Sequence, residues 1–327
     1  MRIHRDAGLR AAYRLLFPPV AAQLGLGPLA ALSLAVVAPV WGWMSTLSAM
    51  ISRKGAGKLT LETITISHFV EKVRFCMDRA GIEYEEEASV GILGVFLKGR
   101  SVPRLRVGYP AGGISIGNSS SILRFLYGHY CGDPAMADRV RFLRPTPEAL
   151  ALEARLDRYG TDLQHVIYAA ALAPEAKSGC LQAWGLKDPW VPAWQRVLLP
   201  CMYPILVRFM RGAFKPSGAP KHRASAEALL QDMEDLLKGG QKTLLGGEER
   251  TFVDYTFAAL SAWVTVPGFG GRRHTPLVHM CSVDEYPAAM HALVRDWTER
   301  YPHVVAWVRA VYADERMPHM GEGGSAR

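Results

Sequence analysis

Residues 59–87 read LTLETITISHFVEKVRFCMDRAGIEYEEE, and the change of rhythm inside them decides the fold. From Leu59 to Ile66 apolar and polar side chains alternate, the period-two pattern of a half-buried strand. From Val70 the apolar positions move to Val73 and Met77, a helical spacing that Gly81 ends. Ser67-His68 stands between the two, so the serine falls where a strand hands over to a helix and suits the N-cap position. A βα unit is the expected start of the folded part.

Further along, Val102-Pro103-Arg104-Leu105-Arg106-Val107 reads as a short strand led by proline, which marks an edge or an unusual peptide bond. Gly108 to Gly113 is turn-like, Ile114 to Ile116 is another strand, and Asn118 to Tyr127 returns to helical spacing. Breaks follow at Gly132-Asp133-Pro134 and Pro145-Thr146-Pro147, and strand patterns then cease. From Glu148 to Ala313 the chain reads as helices, among them ALALEARLDRYGTDLQHVIYAAAL, PAWQRVLLPCMYPILVRFMRGAF, ASAEALLQDMEDLLKGG, DYTFAALSAWVTV and YPHVVAWVRAVYAD, without an internal repeat.

A chain of 327 residues can bury a substantial core, as one large domain or two ordinary ones. Its formal charge of +8 is local: the first 58 residues hold seven of the 38 basic side chains and one of the 30 acidic ones, which leaves the remainder at +2. A general phosphate-binding face, and with it a nucleic-acid partner, is not supported. The five cysteines, Cys76, Cys131, Cys180, Cys201 and Cys281, are far apart and never in C-x-x-C spacing, so they read as reduced thiols in a reducing compartment. Cys76 lies at helical spacing from Val73 and Ala80 and reads as core. The ten histidines show no ligand spacing, so no metal site is expected.

Between Arg14 and Arg53 there is no charged residue, and Pro28 to Met50 reads PLAALSLAVVAPVWGWMSTLSAM. About 20 apolar residues cross a bilayer core. Trp41 and Trp43 suit its water interface, and a membrane helix tolerates Pro39. A membrane anchor is the leading reading; an Arg-rich transit peptide and a cleaved signal peptide are the alternatives. Four arginines before the segment and three basic residues after it give no side preference. Gly55-Ala56-Gly57-Lys58 is not a phosphate loop, since Ser52 and Leu59 stand where that motif needs Gly and Ser or Thr; it reads as a flexible basic linker.

Four separated signatures, in order, resemble the glutathione transferases. Ser67-His68-Phe69-Val70-Glu71-Lys72-Val73-Arg74 is similar to the S/C-P-x-x-E-K-x-R segment of omega-like and bacterial-type members, with His68 in place of the proline. Val102-Pro103 is similar to the family's V-P-x-L with its cis proline. Ile116-Gly117-Asn118-Ser119-Ser120-Ser121-Ile122-Leu123-Arg124-Phe125-Leu126 is similar to I-x-[DE]-S-x-x-I-x-x-Y-L, with Asn118 in place of the acid. Leu244 to Asp254 is similar to L-x-G-x-x-x-T-x-A-D, and Thr251-x-x-Asp254 is a helix start in its own right.

The resemblance covers roughly Leu59 to Val311. It implies an α/β plus all-α fold, a thioredoxin-like N-terminal domain followed by an all-helical C-terminal domain. The expected division is a leader, anchor and linker at 1–58, a glutathione-binding domain at 59–130, a linker at 131–147, the helical domain at 148–315 and a flexible tail at 316–327. It further implies Ser67 as the catalytic residue at the glutathione sulfur. Val102 and Pro103 would pair with the cysteinyl backbone, and Asn118 and Ser119 would hold the γ-glutamyl carboxylate. Glutathione is then a co-substrate, and no other cofactor is implied. His68 is open between a proton acceptor for the thiol and a surface residue, and Tyr159, Tyr168 and Trp184 are aromatic candidates for the second-substrate wall. Thr251 and Asp254 read as structural.

The function so implied is a membrane-anchored transferase that adds the glutathione thiolate to small apolar electrophiles, as a possible homodimer. Its folded part would face the cytosol or an organelle matrix, or would be organellar after transit-peptide cleavage. The alternative is a non-catalytic, metaxin-like module for membrane organisation or partner binding. Thiol–disulfide chemistry is a weaker third option, because a serine hydroxyl forms no mixed disulfide.

Overall fold

The computed structural model describes residues 57–64, 66–91, 101–109, 112–265, 286 and 288–316, together with positions 40, 44 and 47. The expected membrane segment, apart from those three positions, and Cys281 lie outside the described residues. So do residues 317–327 of the expected tail. Arg316, expected to head that tail, is 1% exposed and ion-paired, so the ordered chain reaches at least that far.

The elements run β1 (Leu59–Ile64), α1 (His68–Arg79), β2 (Glu85–Ser89), β3 (Arg104–Tyr109), β4 (Gly112–Gly117) and α2 (Ser119–Tyr130). Then come the short α3 (Ala137–Val140), α4 (Pro147–Ala171), α5 (Lys177–Ala183), α6 (Ala193–Phe214), α7 (Ala219–Lys238), α8 (Phe252–Thr265), α9 (Ala288–Arg300) and α10 (Pro302–Val311). This is the βαβ then ββα order of a thioredoxin-like domain, followed, among the described residues, by helices alone.

The described residues fall into two compact units. One takes in the residues up to 64, Tyr84–Asn118 and Trp184–Lys215; the other takes in Ile66–Glu83, Ser119–Ala183 and the residues from Pro216 onward.

The first unit holds a four-stranded sheet in the order β2-β1-β3-β4. β1 runs parallel to β2 and antiparallel to β3, with Leu61 opposite Glu86 on one side and Leu105 on the other, and β3 and β4 form a hairpin. β2, with the sequence EEEAS, carries no strand pattern and is not expected from sequence. Partners elsewhere in the sheet absorb its charges: Thr63 Oγ1 donates to Glu86 Oε1 at 2.7 Å, Arg106 pairs with Glu87, and the exposed Lys58 lies 2.7 Å from Glu85. A short, charged edge strand of this kind also resists edge-to-edge association. Past β2, Gly91 adopts φ +35°, and a Cβ there would stand 2.5 Å from Trp184 Cγ, so only glycine fits. α6 belongs to this unit, where Gln195 Oε1 accepts from Val90 N at 2.9 Å.

The second unit is built around α8, every residue of which is buried. α1, α4, α9 and α10 pack against it. Its start is a hydrogen-bonded cap: Asp254 Oδ2 accepts from Thr251 N at 2.7 Å and Thr251 Oγ1 at 3.1 Å, while Oδ1 accepts from Leu244 N at 2.7 Å. Burial raises the Asp254 carboxyl above its ordinary range even against these bonds.

Candidate functional site

Ser67 is the N-cap of α1, with extended backbone (φ −74°, ψ 118°), and its Oγ accepts from Val70 N at 3.3 Å. That bond uses an oxygen lone pair and leaves the hydroxyl proton to donate. The unpaired N–H groups and the positive end of the α1 dipole lie at the same place. Trp263 of α8 fixes the residue before, donating from Nε1 to Ile66 O at 2.9 Å.

His68 is no surface residue. It is 3% exposed, lies against Phe69 with ring centroids 4.6 Å apart, and its Nε2 stands 2.9 Å from Gly160 O. Because a carbonyl only accepts, Nε2 carries the proton and Nδ1 keeps the lone pair. Burial lowers the imidazole to about 4, so the ring is neutral at pH 7. The contact depends on Gly160, where a Cβ would come within 2.8 Å of Phe69 Cζ and 2.9 Å of Leu260 Cδ2.

One turn further along α1 lies a group of charges that the sequence does not announce. Lys72 is fully buried, and its Nζ donates to Ser120 Oγ at 3.0 Å, Glu153 Oε1 at 3.0 Å and Asp157 Oδ1 at 3.1 Å. All three ammonium protons are used. Ser120 Oγ in turn donates to Asp157 Oδ2 at 2.7 Å, and Arg124 pairs with the other oxygen of Glu153. Two cations face two carboxylates, so this buried set, drawn from α1, α2 and α4, is neutral. On the far side of α1, Arg316 pairs with Glu71 at 3.1 Å and with Asp78, which ties the turn after α10 to the same helix.

Ser119 is the first residue of α2 and is 4% exposed. Ser67 and Ser119 belong to one unit, in which α1 and α2 pack together. Val102, Pro103 and Asn118 belong to the other. There the Val102–Pro103 peptide is cis, Pro103 is buried and β3 begins at the next residue. Asn118 is exposed and left-handed at φ 76°, a conformation that asparagine tolerates better than most residues.

Of the aromatic candidates, Tyr159 is buried, bonds Ser261 Oγ through its hydroxyl at 3.0 Å and lines a cavity of about 270 Å³ with Arg155, Arg158, Asp162, Ser225 and Leu229. Burial raises the phenols of Tyr159 and Tyr168. Trp184 is 1% exposed beneath Gly91 and serves the core of the first unit. Cys76 is fully buried with its thiol pushed up to about 12, which fits the core role expected of it. Among the described residues no group of three or more His, Cys, Asp or Glu side chains is placed to hold a metal ion.

Residues 188–310 match the family model for the glutathione S-transferase C-terminal domain. No curated protein matches the chain. Among solved structures, the chain is similar to a glutathione S-transferase from Methylobacterium radiotolerans in complex with glutathione sulfonate, at 17% identity over 80% of this chain and 92% of that one, TM-score 0.46. It is similar also to the beta-etherase LigF from Sphingobium, at 14% identity over 80% and 98%, TM-score 0.47. A third is a glutathione transferase family member from Pseudomonas fluorescens with two glutathiones bound, at 14% identity over 86% and 97%, TM-score 0.39. The fold class is α/β plus all-α, a thioredoxin-like part followed by a glutathione-transferase-type helical part.

Proposed function

We propose that this protein binds glutathione and adds its thiolate to small apolar electrophiles, held to a membrane by its N-terminal residues 1–58. The observation that carries the reading is the match of residues 188–310 to the glutathione S-transferase C-terminal domain, behind a sheet-containing part whose first helix is capped by Ser67.

A thiol like that of free cysteine, with a pKa near 8.5, is only about 3 per cent ionised at pH 7. Lowering that value by two units needs about 2.7 kcal/mol. A hydroxyl donating to the sulfur gives about 1.5–3 kcal/mol once the sulfur is charged, and the helix end adds to it. Ser67 has the free proton and the helix start for that task. The γ-glutamyl carboxylate would use the N–H groups at Ser119, and the strand leading from Val102-Pro103 would pair with the tripeptide backbone. The reduced thiols expected from sequence fit a folded part facing the cytosol or an organelle matrix.

The test is retention of the full chain on immobilised glutathione together with turnover of an aryl halide. Retention with turnover that falls at least tenfold in Ser67→Ala supports the reading; failure to bind glutathione overturns it. The second reading, a non-catalytic metaxin-like module, is favoured by one observation: Ser67 is only 9% exposed and already serves as a cap. Absence of both glutathione binding and turnover would decide for that module, and tight glutathione binding counts against it.

A further inference from the structure

Residues 189–226 contain no acidic side chain and six basic ones, Arg196, Arg208, Arg211, Lys215, Lys221 and Arg223, in a chain with 30 acids among 327 residues. α6 lies within this stretch. One of its faces is buried through Leu199, Leu206, Phe209 and Met210. The other presents Trp194, Val197, Cys201, Pro204 and Arg208, all exposed, at intervals of three and four residues that place them on one stripe. Val197, 76% exposed, and Trp194, 56% exposed, are the most exposed large apolar side chains among the described residues. The stripe thus begins apolar and ends basic, with exposed Lys215 just beyond the helix.

We propose that this stripe of α6 docks on the surface of a bilayer rich in anionic lipid. An apolar and aromatic end suits the boundary between headgroups and acyl chains, and a basic end, Arg208 and Lys215, in a stretch of sequence without acidic residues suits anionic headgroups. The helix lies on the surface and does not cross it, although its length and composition would permit crossing. Its inner face is engaged with protein, as Gln195 with Val90 shows. Moreover, Pro200 and Pro204 lack N–H groups, so the carbonyls of Arg196 and Pro200 lose their regular i+4 donors.

Cys201 supplies the probe, since it sits on the stripe and is exposed. The full chain carrying Cys131→Ser and Cys281→Ser is labelled at Cys201 with an environment-sensitive fluorophore and mixed with phosphatidylcholine vesicles, with and without phosphatidylserine. The expected result is a blue shift, quenched by spin-labelled lipid, with phosphatidylserine vesicles and little change without it. Two neutralised bases near such a surface weaken the local association about 30-fold, so Arg208→Gln/Lys215→Gln should need correspondingly more vesicle for the same shift. An equal shift on both vesicle types, no shift on either, or a shift that rises with protein concentration in the absence of vesicles overturns the proposal. The last outcome would assign the stripe to a second copy of the chain.

Discussion

The ammonium of Lys72 lies 3.0 Å from the hydroxyl oxygen of Ser120, in the interior of the helical unit. Lys72 stands five residues after Ser67, and Ser120 directly follows Ser119. One buried hydrogen bond therefore joins the two helices whose starts carry the proposed contacts to the glutathione sulfur and carboxylate. Glu153 and Asp157 of α4 complete the clamp.

Lys72→Met removes the centre of this set. Glu153 keeps Arg124, but Asp157 and Ser120 lose their cation inside the protein. Breaking a buried pair from one side costs about 3–5 kcal/mol, the magnitude expected in denaturant unfolding. Asp157, about a quarter exposed, is less demanding, and Asp157→Asn should cost about 1 kcal/mol. If Lys72→Met proved as stable as the parent, the clamp would have no energetic content.

His68 makes stability depend on pH with a definite sign. In the unfolded chain its imidazole titrates near 6.5, and in the folded protein burial holds it to about 4. Between these values the unfolded state binds more protons, so the contribution is complete above pH 6.5 and is lost as pH falls toward 4. The difference amounts to roughly 3 kcal/mol. Glutamine cannot titrate but can donate to Gly160 O, so His68→Gln should flatten the stability profile between pH 4 and 6.5 by about that amount relative to wild type. Parallel profiles for the two proteins would show that His68 is solvated or charged.

Asp254 accepts from three donors at the start of α8, in a fully buried position. Asp254→Ala leaves the backbone N–H groups of Leu244 and Thr251 without their acceptor, and a loss of about 3–5 kcal/mol is expected in thermal or denaturant unfolding. Thr251→Ala removes one member of the cap and should cost about 1 kcal/mol. A larger effect for Thr251→Ala than for Asp254→Ala would contradict this arrangement.

What could be read in the sequence was what local rules encode. The strand-to-helix change at Ser67, the odd proline at 103, the Thr251–Asp254 cap and the helical second half all depend on residues within a few positions of one another. Those features are present as expected. β2 was invisible because its glutamates suit a strand only where Thr63, Arg106 and Lys58 receive them. His68 could not be assigned because its partner is 92 residues away, and the Lys72 set spans separations of 48 to 85 residues. A polar residue in a helix reads as solvated until a distant partner is placed beside it. Nothing local in the E-K pair at Glu71 and Lys72 tells that both residues are buried.

If Ser67 stabilises the thiolate of bound glutathione as proposed, the ultraviolet absorbance of that thiolate reports it. Titrating glutathione bound to the full chain should show the thiol ionising about two units below its value in free solution, with most of that shift lost in Ser67→Ala. A bound thiol that titrates like the free one, or that shifts equally in Ser67→Ala, would leave Ser67 no part in ionising it.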